Sequence, residues 1–141
     1  MAKKIRILIL GDIIVDKYLF GETKRISPEA PVPIVEIDNS KLIPGGAANV
    51  ANNLVEIGVS VSLFGIIGRD KLGQEIQKIL KKRKVDTQFL YSSKQTINKV
   101  RIMSKSQQML RLDFETRFSK KEASDLLKYI IKISTLQLLI N

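Results

Sequence analysis

The chain has 141 residues, 44% of them hydrophobic and 27% charged. This is the balance of one ordinary globular domain, with enough apolar material for a core and too much for a disordered segment. It contains no cysteine and no histidine, which excludes disulfide frameworks, thiolate zinc sites and Cys- or Ser–His nucleophilic machinery.

The formal net charge of +10 invites a nucleic-acid partner, but its distribution argues against one. Lysines are scattered, and the densest run, Lys81-Lys82-Arg83-Lys84, closes a predicted helix, where cations complement the helix dipole. No aromatic residues interleave with the cations as a base-stacking platform requires. Small anionic substrates such as sugar phosphates and ATP suit the same positive field. No apolar run reaches the roughly eighteen residues of a membrane span. The short stretch after Met1-Ala2-Lys3-Lys4 reads as a core strand rather than a signal peptide. Neither a nucleic-acid nor a membrane partner is expected, and a cytoplasmic setting fits best.

Along the chain the elements alternate as in an α/β fold. Ile5 to Leu10 is an apolar strand ending at Gly11-Asp12. A polar, proline-containing segment spans Tyr18 to Pro31, and Val32 to Ile37 reads as a strand that Pro31 and Pro33 mark as an edge. Pro44-Gly45-Gly46 precedes a small-residue helix, Ala47 to Ile57, closed by Gly58 at its C′ position. Val59 to Ile67 is the next strand, followed by Gly68-Arg69-Asp70. Asp70 is placed to cap a helix over Leu72 to Arg83, whose apolar stripe is Leu72, Ile76, Ile79 and Leu80. Ile97 to Met103 and Met109 to Phe114 read as two strands joined through Lys105-Ser106-Gln107, with Val100, Ile102, Leu110, Leu112 and Phe114 on apolar faces. Ser119 and Glu122 form a capping box that opens a helix to about Ile133. Leu136 to Ile140 reads as a final apolar strand.

Two segments carry candidate chemistry. In Gly45-Gly46-Ala47-Ala48-Asn49-Val50-Ala51 the glycines allow the backbone to approach a ligand, the helix start offers N–H groups, and Asn49 supplies a donor and an acceptor. The same residues also serve simply as a tight turn before a packed helix. Asp12 and Asp16 follow the first strand, at the end of an open sheet where ligands collect. Carboxylates there accept hydrogen bonds from hydroxyls, although turn and cap chemistry uses Asp in the same way. Gly68-Arg69-Asp70 is read chiefly as turn and cap.

Together these segments resemble the PfkB (ribokinase-like) carbohydrate kinases. The first family signature has a Gly-Gly-x-x-Asn helix start, a glycine closing that helix and a glycine after the next strand. Gly45, Gly46, Asn49, Gly58 and Gly68 match at the family spacing. The runs from Gly11 to Tyr18, from Arg25 to Pro33 (Arg-Ile-Ser-Pro-Glu-Ala-Pro-Val-Pro) and from Pro44 to Ala51 narrow the resemblance. They look like the kinase domain of the heptose 7-phosphate kinase/heptose 1-phosphate adenylyltransferase group. Lys99-Val100-Arg101, Gln107-Gln108 and Arg111 to Glu115 match that group as well, so the resemblance covers the whole chain.

The resemblance implies a mostly parallel central sheet flanked by helices, with a small β-sheet lid built from about 18–37 and 97–114. Residues 1–141 are then the N-terminal portion of a single kinase domain. It implies transfer of the ATP γ-phosphate to C1 of D-glycero-β-D-manno-heptose 7-phosphate, with Mg2+, on the route to ADP-heptose and the lipopolysaccharide core. It also implies a homodimer through the lid. Asp16, Gly45, Gly46 and Asn49 become sugar ligands, with Asp12 second in rank. Lys99, Arg101 and Arg111 become candidates for the substrate phosphate, a role that suits the planar fork of Arg, unless they merely line solvated strand faces. The family's Gly-Ala-Gly-Asp segment, with its catalytic aspartate and anion hole, has no counterpart here. The resemblance therefore implies that the catalytic residues and most of the nucleotide site lie outside this chain, and that the chain alone is inactive. Two readings stay open beside this one. One is a non-catalytic sugar-phosphate-binding or dimerising module. The other is a kinase of the same family for ribose, fructose 6-phosphate or adenosine, which the Arg25 to Pro33 run disfavours.

Overall fold

The computed structural model describes the backbone of residues 6–140 and the side chains of residues 6–135. Two sheets share the chain. The first contains β1 (Arg6–Leu10), β4 (Ser60–Gly68) and β5 (Asp86–Ser92), all parallel, in the order β1-β4-β5. The second contains β2 (Ile13–Ile26), β3 (Pro33–Gly46), β6 (Ile97–Ser104) and β7 (Gln107–Phe114), in the order β3-β2-β6-β7. In this sheet β2 pairs antiparallel with β3 and parallel with β6, and β6 pairs antiparallel with β7. Three helices complete the fold: α1 (Ala47–Glu56), α2 (Lys71–Lys82) and α3 (Lys120–Ile140). The α/β arrangement expected from the sequence, a parallel sheet flanked by helices with a second sheet beside it, is the one found. Ile5 of the predicted first strand lies outside the described residues.

β4 shows why the three-stranded sheet is covered on both sides. Its sequence is apolar almost throughout and every residue after Ser60 is buried, the signature of a parallel strand packed on two faces. Val61, Leu63 and Ile67 join the core that α1 and α2 close with Ala48, Ala51, Ile76 and Leu80. Phe64 and Ile66 face the other way, toward Leu126, Phe118 and Tyr129. Gly65 has no side chain because Ile13 occupies that space; a Cβ there would lie 2.5 Å from Ile13 Cγ1. The second sheet is thereby seated on the first, with Ile13 and Val15 fully buried in the α1/α2 core.

The two long strands β2 and β3 run deeper than the sequence suggested. Tyr18 to Ile26, expected as polar loop, continues β2, and β3 extends to Gly46. β3 is an edge strand, as its prolines required. β5 was not anticipated; its polar residues disguise a strand that buries only Phe89 and Ser92. The expected apolar face of β7 is exposed along its whole length. Leu136 to Ile140, expected as a strand, is instead the last part of α3. Nothing between Ile133 and Leu136 breaks a helix, leucine is a good helix former, and the Thr135 hydroxyl folds back onto the Ile131 carbonyl.

The helix ends follow their capping residues. Gly58 takes φ +87° after α1, the left-handed C′ conformation that glycine adopts without strain. Asp70 caps α2 through Gly73 N (2.7 Å) and also accepts from the Thr96 amide (2.8 Å) and hydroxyl (2.7 Å). Burial pushes this carboxyl up, but the bonds from Thr96 and Gly73 outweigh it and hold its pKa below the ordinary value. At the start of α3, Ser119 N donates to the Glu122 carboxylate at 2.7 Å and Glu122 N donates to the Ser119 hydroxyl at 3.2 Å. The Ser92 hydroxyl, then the Ser119 groups and the Lys94 charge, bring Glu122 down to about 2.

Two predictions follow from these caps. Asp70→Ala removes one cap and leaves two Thr96 donors unpaired, so the melting transition should lose about 2 kcal/mol, measured by thermal denaturation at neutral pH. Glu122 is depressed in the fold, so its contribution is complete above its ordinary value of 4.5 and is lost as pH falls through about 2. A Glu122→Gln variant should therefore show a shallower fall in Tm across that window than the parent chain; parallel curves would refute the linkage.

Candidate functional site

The site forms where the two sheets meet, at the carboxyl end of β1. After Gly11 and Asp12 the chain enters β2, and alternation places Ile14, Asp16, Tyr18 and Phe20 on one face and Ile13, Val15 and Lys17 on the other. The second set is directed to the core and the first to the open side. β3 returns antiparallel, setting Gly45 opposite Ile14 and Gly46 opposite Ile13. The Gly-Gly pair is thus the end of a strand rather than a free turn.

Each glycine has its own reason. A Cβ on Gly45 would lie 2.3 Å from Asp16 Oδ2, so the carboxylate occupies the space a side chain would take. Gly46 has φ +55°, and a Cβ there would lie 2.5 Å from the Asp12 carbonyl oxygen. The following amide, Ala47 N, donates to that carbonyl at 3.0 Å. Gly46 brings no capping side chain to α1, and the first turn of the helix holds no acidic residue. Asn49 is exposed in that first turn. Asp16, Gly45, Gly46 and Asn49 are therefore gathered around one helix start, with Asp16 half-buried and touching Gly45. Asp12 shares the same strand end through its backbone. It is exposed and borders a cavity of about 260 Å³ with Leu10, Gly11, Phe118 and Leu126 on the α3 side.

The three candidate phosphate-binding cations separate. Arg101 of β6 makes an ion pair with Asp16 through Nη1, and the paired carboxylate raises its pKa above the ordinary value. Its guanidinium carbon also lies over the Tyr18 ring, 5.3 Å from the centroid, and Tyr18 stacks on Phe20 at 6.0 Å. Arg111 of β7 is held by Asp113 through a two-point fork of 2.9 and 3.1 Å. Lys99 lies opposite Asp16 on one side and Asp113 on the other. All five charged residues share the open face of the four-stranded sheet. The sequence offered Arg101 only as one cation of three. Its pairing with Asp16 across 85 positions, and the part played by Tyr18, depend on the β2–β6 register and have no local signal.

Comparison with known proteins agrees with this architecture. Residues 4–134 match the pfkB family carbohydrate kinase family. The chain is 48% identical over 126 residues to the bifunctional protein HldE of Haemophilus influenzae (strain PittEE), covering 89% of this chain and 26% of that protein. It is 42% identical over 129 residues to HldE of Coxiella burnetii (strain Dugway 5J108-111), covering 91% and 27%. The chain thus spans about a quarter of the length of these curated relatives. Among solved structures, a putative phosphofructokinase from Staphylococcus aureus aligns with TM-score 0.71 at 16% identity, over 89% of this chain and 39% of that one. Phosphofructokinase-2 from Escherichia coli, in complex with fructose-6-phosphate, aligns with TM-score 0.68 at 17% identity, over 92% and 41%. At these identities the structures speak for the fold alone, while the family match spans nearly the whole sequence. The chain belongs to the pfkB family of carbohydrate kinases.

Proposed function

We propose that this chain forms the sugar-binding part of a kinase that transfers the γ-phosphate of ATP to C1 of D-glycero-β-D-manno-heptose 7-phosphate. The observation that carries the reading is the contact between the Asp16 carboxylate and the side-chain-free backbone of Gly45, beside the start of α1. A carboxylate in that position accepts hydrogen bonds from vicinal hydroxyls, and charge-assisted bonds of this kind are roughly twice as strong as neutral ones. Asn49 and the backbone at Gly45 and Gly46 supply the remaining polar contacts to the sugar, with Asp12 at the rim. Arg101, Lys99 and Arg111 form the cationic face toward which the phosphate of the substrate is directed.

The choice of heptose over other sugars rests on the Arg25 to Pro33 run and on the similarity to the bifunctional HldE proteins. ATP is the phosphoryl donor of this reading. No proton abstraction or phosphoryl transfer is assigned to a residue of this chain. Among the described residues no group of three or more carboxylates is placed to hold a metal ion. Among the same residues no helix is long and apolar enough to cross a membrane.

The opposite face of the four-stranded sheet supports a homodimer. Leu110, Leu112 and Phe114 share the side of Val100 and are 51%, 40% and 49% exposed. An apolar sheet face of this kind, left open on an edge strand, favours a partner sheet.

Isothermal titration tests the sugar site. Asp16→Asn should weaken heptose 7-phosphate binding by about tenfold or more, the loss of one charge-assisted bond worth roughly 1.5–3 kcal/mol. Gly45→Ala should do the same by displacing the carboxylate. Unchanged sugar affinity in both variants would remove Asp16 from the site, and preference for fructose 6-phosphate over heptose 7-phosphate would replace the substrate. For the dimer, sedimentation of a Leu110→Lys/Leu112→Lys variant should move the chain from dimer to monomer. A parent chain that sediments as a monomer would exclude it.

A further inference from the structure

The open face of the four-stranded sheet holds a column of side chains that the sugar-site reading leaves unexplained. Phe20 stacks on Tyr18, Tyr18 lies under Arg101, and Arg101 reaches Asp16. The two aromatic residues come from β2 and the arginine from β6, brought together by the parallel register that sets Tyr18 opposite Arg101. Neither ring is in the buried core, so packing alone does not account for two aromatic residues on this face.

The chemistry of Arg101 shows what the column does. A guanidinium has five N–H donors in a rigid plane. Among the described residues, only Nη1 has an acceptor, the Asp16 carboxylate. The guanidinium carbon stands 5.3 Å over the Tyr18 ring, a cation–π contact that restrains the group and leaves the edge carrying Nε and Nη2 without an acceptor among the described residues. Arg111, directly across the strand pair, is in the opposite condition, since Asp113 engages both Nε and Nη2. Of the two guanidiniums on this face, Arg101 is the one with a free two-donor edge.

We propose that Tyr18 is a positioning residue. It holds Arg101 flat against Asp16, so that the free edge forms a prearranged fork for a tetrahedral dianion next to the carboxylate that takes the sugar hydroxyls. This inference deepens the proposed sugar-phosphate site and rests on it for the identity of the physiological ligand, though not for the fork itself. One guanidinium then joins the two ends of the substrate site: Asp16 on Nη1 and a phosphate on Nε and Nη2. Arg111, with Nε and Nη2 already taken by Asp113, lies outside this fork. The stacking contact costs the ligand nothing at the moment of binding, because the plane is set beforehand.

The test uses the 15N-labelled chain and inorganic phosphate, at constant ionic strength with chloride as the balancing anion, followed through the arginine Nε–Hε signals in two-dimensional NMR. In the parent chain the Arg101 signal should move saturably with phosphate while that of Arg111 moves little. Tyr18→Leu should weaken the phosphate affinity roughly two- to fivefold, the fold-change of a cation–π contact worth about 0.5–1 kcal/mol at a partly exposed site. Tyr18→Phe, which keeps the ring, should restore most of it. Three results overturn the proposal. One is an Arg101 signal indifferent to phosphate in the parent chain, which decides the matter even if the leucine variant does not fold. The second is a Tyr18→Leu chain that binds phosphate as the parent does. The third is equal loss in the Leu and Phe variants, which would make the hydroxyl and not the ring the active part. A failure of the heptose reading looks different: phosphate still titrates Arg101, but heptose 7-phosphate binds no better than fructose 6-phosphate.

Discussion

The contact between the Asp16 carboxylate and the bare backbone at Gly45 is the constraint on which the rest of this site depends. Asp16 is on β2 and Gly45 on β3, and only antiparallel pairing of those strands brings them together. The missing Cβ at position 45 leaves room for a carboxylate half out of water. The same pairing delivers the chain to Gly46, whose left-handed φ turns it into α1, and Ala47 N fixes the turn by bonding to the Asp12 carbonyl. The candidate ligand carboxylate, a helix start and the end of β1 are therefore set by one piece of strand geometry.

That geometry holds only because β2 has one face in the core and the other on the open side. Ile13 and Val15 are buried against the α1/α2 helices, while the alternate residues Asp16 and Tyr18 stand on the open side. Gly65 makes the arrangement possible by yielding its side-chain space to Ile13. A one-residue slip would bury Asp16 and expose Val15. The apolar half of the strand thus fixes the register that presents the polar half.

On the open face, charges are interleaved rather than pooled. Asp16 with Arg101 and Asp113 with Arg111 form two pairs, and Lys99 stands between the two carboxylates. The guanidiniums are directly opposite one another, an arrangement that is destabilising for like charges on neighbouring strands unless each has its own counter-ion. The exposed pair contributes little to stability. Its consequence is an asymmetry: Asp113 takes Nε and Nη2 of Arg111, whereas among the described residues the same two donors of Arg101 have no acceptor.

The features legible in the sequence are those with a local physical cause. Asp70 and the Ser119–Glu122 box announced helix starts because their side chains bond to amides two or three residues on, and Gly58 announced a helix end because the left-handed conformation suits it. Pro33 marked an edge strand because it has no N–H to donate. The Gly45-Gly46-x-x-Asn49 spacing and the Asp16 strand end pointed to the candidate site for the same kind of reason. Tertiary structure decided the rest. β5 is a strand by virtue of its neighbour β4, and its own composition is too polar to say so. Leu136 to Ile140 has apolar residues that suit a strand or a helix, and continuity with α3 made the choice. The ion pair of Asp16 with Arg101, and the Tyr18 ring beneath it, join residues 85 positions apart. Only the alignment of β2 with β6 sets them side by side, since the reach of a side chain, unlike that of a helix cap, is defined by the fold and not by the residues next to it.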